Sequence, residues 1–214
     1  SFNFLAMAVL GVTALRNANC DDSIDTIIVP ENGYISVNPP LTRRRIGSHS
    51  TRTTHPHFLS RLESLLKDTG FHVRFVNPYQ FKTKGEMLAE CVDQAAIKKA
   101  VPLSVSCSHW HREHKQCGHC VPCLIRRASV HRAGFSIDAP YKTRRLDALV
   151  KEKEARDDLQ AVQTAIIRLK QTGNYRSWLR KSGPIPQDPA IREELVSTIK
   201  RGLAEVETFL NARK

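Results

Sequence analysis

Four cysteines, Cys107, Cys117, Cys120 and Cys123, stand within the run CSHWHREHKQCGHCVPC, and their spacing constrains the fold more than any other feature of the chain. One distant thiol followed by two overlapping C-x-x-C steps supplies four soft ligands, a set suited to a tetrahedral zinc ion. Gly118 fits the same reading, because a residue free to take positive φ lets backbone amides turn toward the sulfur of Cys117. Disulfides compete for these residues, but a chain of 214 residues is no small stapled scaffold, and nothing in it reads as a secretion signal. A redox C-x-x-C pair would leave two thiols unexplained. With four thiols at hand, His109, His111, His114 and His119 are expected as solvated loop residues or as groups outside the ligand set. A closed four-thiolate shell leaves no place for water or a substrate carbonyl. The zinc is therefore expected to be structural, pinning an irregular loop to a helix that starts near Cys120 and runs through LIRRASVHRA.

The opening FNFLAMAVLGVTAL is too short to span a bilayer and reads as a core helix over residues 2 to 20, apolar on most faces and in need of partners. Ser1 looks like a cut edge inside a domain, and a cytoplasmic protein without a membrane segment is expected. Cys20 and Cys91 fall on helix-like stretches and are most simply small buried hydrophobes. DTIIVP, residues 25 to 30, is β-branched and apolar, as a buried parallel strand would be. HFLSRLESLLKDTG has helical spacing and closes on Gly70, and FHVRFVNPY follows as a second strand. A further helix begins at TKGEMLAECV, where Thr83 precedes Glu86 by three residues as in a capping box. Strand alternating with helix at this pitch predicts an α/β layer with a parallel sheet. Ligands of such sheets sit at the carboxyl ends of the strands, where Glu31 and Asn32 leave the first one.

Net charge is +12, much of it in TRRRIGSHSTRTTH, around HREHK and LIRRASVHR, and in YKTRRLDALVKEK. An anionic partner is implied: a nucleic acid, bound with steep salt dependence, or a nucleotide such as ATP. A solvated basic surface with no specific ligand is the plain alternative. Residues 31 to 56 form an aperiodic stretch far longer than an ordinary connection, and loops of that length are usually functional. Within it Arg43, Arg44, Arg45, Ser48, His49, Ser50, Thr51, Arg52, Thr53, Thr54 and His55 gather donors suited to phosphate or carboxylate oxygens. Ser48, His55 and Glu31 make a triad only on paper, since no nucleophile-elbow motif surrounds the serine.

Three segments together carry a resemblance. CGHCVPCLIR resembles the C-terminal zinc signature of the 7-cyano-7-deazaguanine synthase family, the QueC-like PP-loop ligases. TKGEML is similar to that family's Thr-Lys-x-Glu helix start, and SFNFLAMAVL to the helix that follows an arginine in its members. These segments span most of residues 1 to 135. The stretch ENGYISVNPPLTRRRIGSHSTRTTHPHFL differs from the shorter loop of biosynthetic members and is similar instead to QatC-type relatives of anti-phage defence systems. The resemblance implies a cytoplasmic ligase that uses ATP with Mg2+ to adenylate a 7-deazaguanine carboxylate, releases pyrophosphate, and lets an amine attack. That amine is ammonia in biosynthetic relatives and a protein partner is an alternative. It also implies the C-terminal part of a PP-loop parallel-sheet domain over residues 1–101, a four-cysteine zinc segment over 102–138, and a helical extension over 139–214. The SGGxDS loop that grips pyrophosphate in PP-loop enzymes is absent from these residues, so the chain by itself is expected to be inactive.

On that reading Lys84 and Arg52 stabilise charge on the transferring phosphates. Arg126, Arg45, Ser50, Thr51, Thr53 and His55 contact substrate, and Glu31 or Asn32 pairs with the guanine-like edge. The stripes Leu159, Val162, Ile166, Leu169 and Leu195, Ile199, Leu203, Val206, Leu210 are expected as packing surfaces, with Trp178 and Tyr175 anchoring the extension. Standard members lack this extension, which is therefore expected to serve assembly with partner proteins. A zinc-containing nucleic-acid-binding or scaffold module is the alternative, favoured by charge but not by the strand–helix alternation.

Overall fold

The computed structural model of the chain describes residues 2–19, 23–42, 46, 53–110, 114–147 and 153–212. In chain order these form α1 (Phe2–Asn19), β1 (Thr26–Ile28), α2 (Gly33–Ser36), α3 (Pro56–Asp68), β2 (Arg74–Val76), α4 (Lys84–Ala89) and α5 (Gln94–Ala100). A 3-10 turn (Val101–Leu103) then leads to α6 (Val121–Arg132), α7 (Lys153–Thr172), α8 (Tyr175–Arg180) and α9 (Pro189–Asn211). The architecture is mixed α/β, mostly helical, with a small parallel sheet.

The two strands pair in parallel, Thr26 opposite Arg74, Ile27 opposite Phe75 and Ile28 opposite Val76. Because strand side chains alternate, Ile27 and Phe75 share one face, and the helices that precede the strands in sequence, α1 and α3, pack there. Val9 and Val12 of α1 meet Ile27 and Val73, while Leu5 joins Leu59 and Leu62 of α3. The opposite face is bare, with Ile28 65% and Val76 41% exposed. The expected buried strand is thus buried only at its centre, since helices cover one side of the sheet. Likewise α1 buries Leu5, Val9 and Val12 at helical spacing and turns Phe4, Met7 and Leu10 to solvent.

Local signals act as their chemistry requires. Pro56 opens α3, where it has no amide hydrogen to leave unpaired, His55 Nδ1 accepts from the His57 amide, and Gly70 closes the turn at φ +87°. Thr83 and Glu86 form the capping box, each side chain accepting the other residue's backbone N–H. Within the long stretch after β1, Asn32 caps the short helix α2 through the Ile35 amide. Cys91 departs from expectation: it follows α4, is half-exposed, and its thiol points to the Asp93 carbonyl at 3.6 Å. Cys20 lies outside the described residues.

The larger core gathers around α9. Leu195, Ile199, Leu203, Val206 and Phe209 pack with Leu124, Ile125 and Ala128 of α6, with Tyr34 and Val37, and with Leu159, Val162, Ile166 and Leu169 of α7. Both predicted stripes are buried, and Tyr175 and Trp178 pack against this core. The approach of α9 to α2 requires glycine at 202, where a Cβ would stand 2.6 Å from the Tyr34 ring. Residues read as an extension therefore share one core with the helix that carries two of the thiols. No helix among the described residues is long and apolar enough to cross a membrane.

Candidate metal centre and adjoining polar cluster

Cys107 lies in the irregular segment after the 3-10 turn, Cys117 in a tight knuckle, Cys120 at the N-cap of α6 and Cys123 in its first turn. All four are buried and pack together, flanked by Trp110 and Tyr141. Backbone amides point at the sulfurs: Cys117 N and His109 N reach Cys107 Sγ at 3.2 and 3.4 Å, and Cys120 N reaches Cys117 Sγ at 3.3 Å. Gly118 makes the knuckle possible. Its φ is +89°, and a Cβ there would stand 2.4 Å from the Thr143 carbonyl oxygen.

The sulfurs of Cys117 and Cys123 are 3.8 Å apart. Two thiolates on a tetrahedral zinc with bonds of about 2.3 Å are separated by about 3.8 Å, so this edge fits the ion. The ligand atoms of Cys107, His109, Cys117 and Cys120 also lie within 4.8 Å of one another. The cluster is thus a Cys/His set of metal-ligand geometry. His109 belongs to it, against the expectation that four cysteines would leave the histidines outside. No spacing rule could have shown this, because tertiary folding alone brings that imidazole to the thiols.

Acidities in the cluster point the same way. Hydrogen bonds from Cys120, then Cys123, hold the Cys117 thiol far below its ordinary value. The hydrogen bond to Cys117 pushes Cys120 up to about 12, and Cys123 is driven upward chiefly by its bond to Cys117. Thiols crowded in this way oppose one another's ionisation, and a divalent cation among them would relieve that opposition.

The surroundings are fixed by buried polar groups that the sequence reading did not single out. Gln116 accepts from the Ser106 amide at 3.1 Å and donates to the Ser104 carbonyl at 3.4 Å. Arg127 donates to the carbonyls of Gly118 (2.9 Å) and Arg144 (2.6 Å), with its guanidinium over the rings of Tyr141 and Phe209. That ties the knuckle to α9.

Against the metal cluster lies a second group. Lys84 Nζ donates to Ser106 Oγ at 3.1 Å. Burial, then the neighbouring Arg126, depress the Lys84 ammonium, while Glu31, Asp138 and Cys123 oppose that shift. Burial raises the Glu31 carboxyl, and Lys84 is the largest influence holding it down. Glu31 follows the carboxyl end of β1, its carbonyl fastened by Asn77 Nδ2 at 2.7 Å, and Lys84, at the start of α4, is close enough to act on its charge. The carboxyl ends of strands are where parallel sheets present ligands.

Other predicted residues have structural duties. Asn32 donates to Glu31 Oε1 through backbone (3.0 Å) and side chain (2.7 Å), and its oxygen caps α2. Its amide is therefore engaged within the fold. The guanidinium of Arg126 is buried and bound to Asp138, Ser104 and the Val101 carbonyl, so it braces the segment before Cys107 instead of facing a ligand. His55 is the buried cap of α3, and Thr53 is half-buried two residues before it. Arg45, Ser50, Thr51 and Arg52, with Arg43, Arg44, Ser48 and His49, lie outside the described residues.

Set against protein-family models, curated proteins and solved structures, the chain gives no significant match. What fold and site define on their own is a mostly helical α/β protein with a Cys/His cluster that could hold a metal ion, near the half-buried Lys84 and Glu31.

Proposed function

We propose that the chain is part of a QueC-like, ATP-dependent carbon–nitrogen ligase in which a zinc held by the cysteine cluster is structural. Mg2+-ATP activates a 7-deazaguanine carboxylate for attack by an amine, ammonia or a partner's. The observation that carries this reading is the electrostatic coupling between Glu31, just past the carboxyl end of β1, and Lys84, which is bound to Ser106 beside Cys107. A half-buried lysine fixed by Ser106 supplies a positive charge that needs little reorganisation when charge builds on a phosphate or carboxylate. Glu31 offers acceptors for an amidine-like edge such as that of guanine. Zinc, when bound, supplies no chemistry in the reaction, only the anchoring of α6. Partner proteins of a defence complex would meet the outward faces of α7 and α9, where Ile167 and Ile191 are exposed, since the inward stripes are already buried.

The test is pyrophosphate release from ATP by protein made from the complete reading frame that contains this chain, with 7-carboxy-7-deazaguanine and ammonium supplied. Release dependent on the deazapurine, and reduced about a hundredfold or more in kcat/KM by Lys84→Ala, is expected. Turnover indifferent to the deazapurine, or to loss of Lys84, overturns the assignment. So does binding to nucleic acid with no ATP chemistry, which would make the protein a zinc-bearing nucleic-acid module.

A further inference from the structure

The metal cluster holds more donors than a tetrahedral ion can use. Cys107, Cys117 and Cys120 are common to every arrangement of it. Two of their sulfurs accept backbone amides in knuckle fashion, and all three lie within mutual ligand reach. For the fourth position there are two claimants. Cys123 Sγ stands 3.8 Å from Cys117 Sγ, the edge of a thiolate tetrahedron. The His109 imidazole lies within 4.8 Å of all three common sulfurs. Cys123 and His119 both fall outside the group in mutual reach, but Cys123 keeps its edge to Cys117 whereas His119 Nδ1 is turned to Thr143 Oγ1 at 3.5 Å. Four thiolates, or three thiolates with one imidazole, are both established zinc sets, so either claimant completes a stable site.

We infer that this is a five-donor metal site in which His109 and Cys123 compete for the fourth coordination position of one zinc ion. The two claimants come from different parts of the fold. Cys123 is in the first turn of α6, whereas His109 is on the irregular segment after Cys107. Exchange of one for the other changes the site's charge by one unit, because a neutral imidazole replaces a thiolate. It also frees the Cys123 sulfur without releasing the metal.

Cobalt(II) binding to the purified full chain tests this, since thiolate-to-cobalt charge transfer and the ligand-field bands report how many sulfurs are bound. Cys123→Ala should keep one cobalt per chain, with a weaker charge-transfer band and ligand-field bands moved to higher energy as nitrogen replaces sulfur. His109→Ala should bind cobalt with a four-sulfur spectrum. The Cys123→Ala/His109→Ala double variant should lose stoichiometric binding, and His119→Ala on the Cys123→Ala background should not. Circular dichroism of each apo and loaded form separates loss of ligand from loss of fold. If Cys123→Ala loses the metal as completely as Cys117→Ala does, the inference fails. It fails equally if the double variant binds cobalt as well as Cys123→Ala alone. Neither result bears on deazapurine chemistry, which the pyrophosphate assay reads separately.

Discussion

The pair Glu31 and Lys84 costs the fold something. Burial raises the carboxyl and depresses the ammonium, so each charge is held at neutral pH against its desolvation and is compensated chiefly by the other. For a carboxyl whose folded value is raised, the folded state binds the proton more readily. Its contribution to stability therefore grows as pH falls toward the carboxylate range and is lost as pH rises through the folded value. We expect urea denaturation to show that gain in the wild type and not in Glu31→Gln. We further expect Glu31→Gln/Lys84→Met to be more stable than wild type at pH 7 by about 1 kcal/mol, the low end for replaced buried pairs, because both residues are only half-buried. A double variant less stable than wild type would show that the pair is structural, not retained for a ligand. Arg126 is the contrasting case, since its buried ion pair with Asp138 serves the fold. Arg126→Ala should destabilise by about 3–5 kcal/mol, read from the same denaturation curves. The sequence names all three residues but cannot separate their roles. A cation three residues after Cys123 and one at a helix start look alike until their partners are known.

At the scale of elements, capping chemistry was legible and partnership was not. Thr83 with Glu86, Pro56 and Gly70 mark helix ends from within a few residues, because their hydrogen bonds are local. The stripe of α9 announces that a partner exists without saying which, since an i, i+4 pattern carries no address. The structure supplies the address: Ile199, Leu203 and Val206 pack with α6 and α2, and Arg201 Nε binds Glu86 of the capping box at 2.6 Å. Thr83 Oγ1 also donates to Glu205, so the start of α4 is fastened to α9 twice. Truncation before α9 should therefore remove more than a surface for partners. Ile199→Ala should cost about 2–5 kcal/mol, and deletion of residues 189–214 should abolish the cooperative thermal transition seen by circular dichroism. A truncated chain that still melts cooperatively would return these helices to the status of an appendage.

For the molecule as a whole, two cores of unequal support divide the sequence. The sheet with α1 and α3 is held by apolar contacts on one face, and its strands are three residues long. The core around α9 is larger, yet its central helix α6 also carries Cys120 and Cys123, so every force on the metal cluster is a force on that core. The thiols were legible from spacing alone, but not that the helix they anchor is the one α9 packs against. Metal binding and folding are consequently linked: an ion that binds only the folded chain stabilises it by about 4 kcal/mol when free metal exceeds Kd by about a thousandfold. For a chain of this size that corresponds to roughly 8–16 °C in Tm. A strong chelator should lower the melting temperature by that order and broaden the transition, and stoichiometric zinc should restore both. Because α6 and α9 share the loss, near-ultraviolet signals of Tyr34 and Trp178, distant in sequence from the thiols, should fall with the same midpoint as the metal is withdrawn. If those aromatic signals survive chelation unchanged, the cluster is an ornament on a core that stands without it.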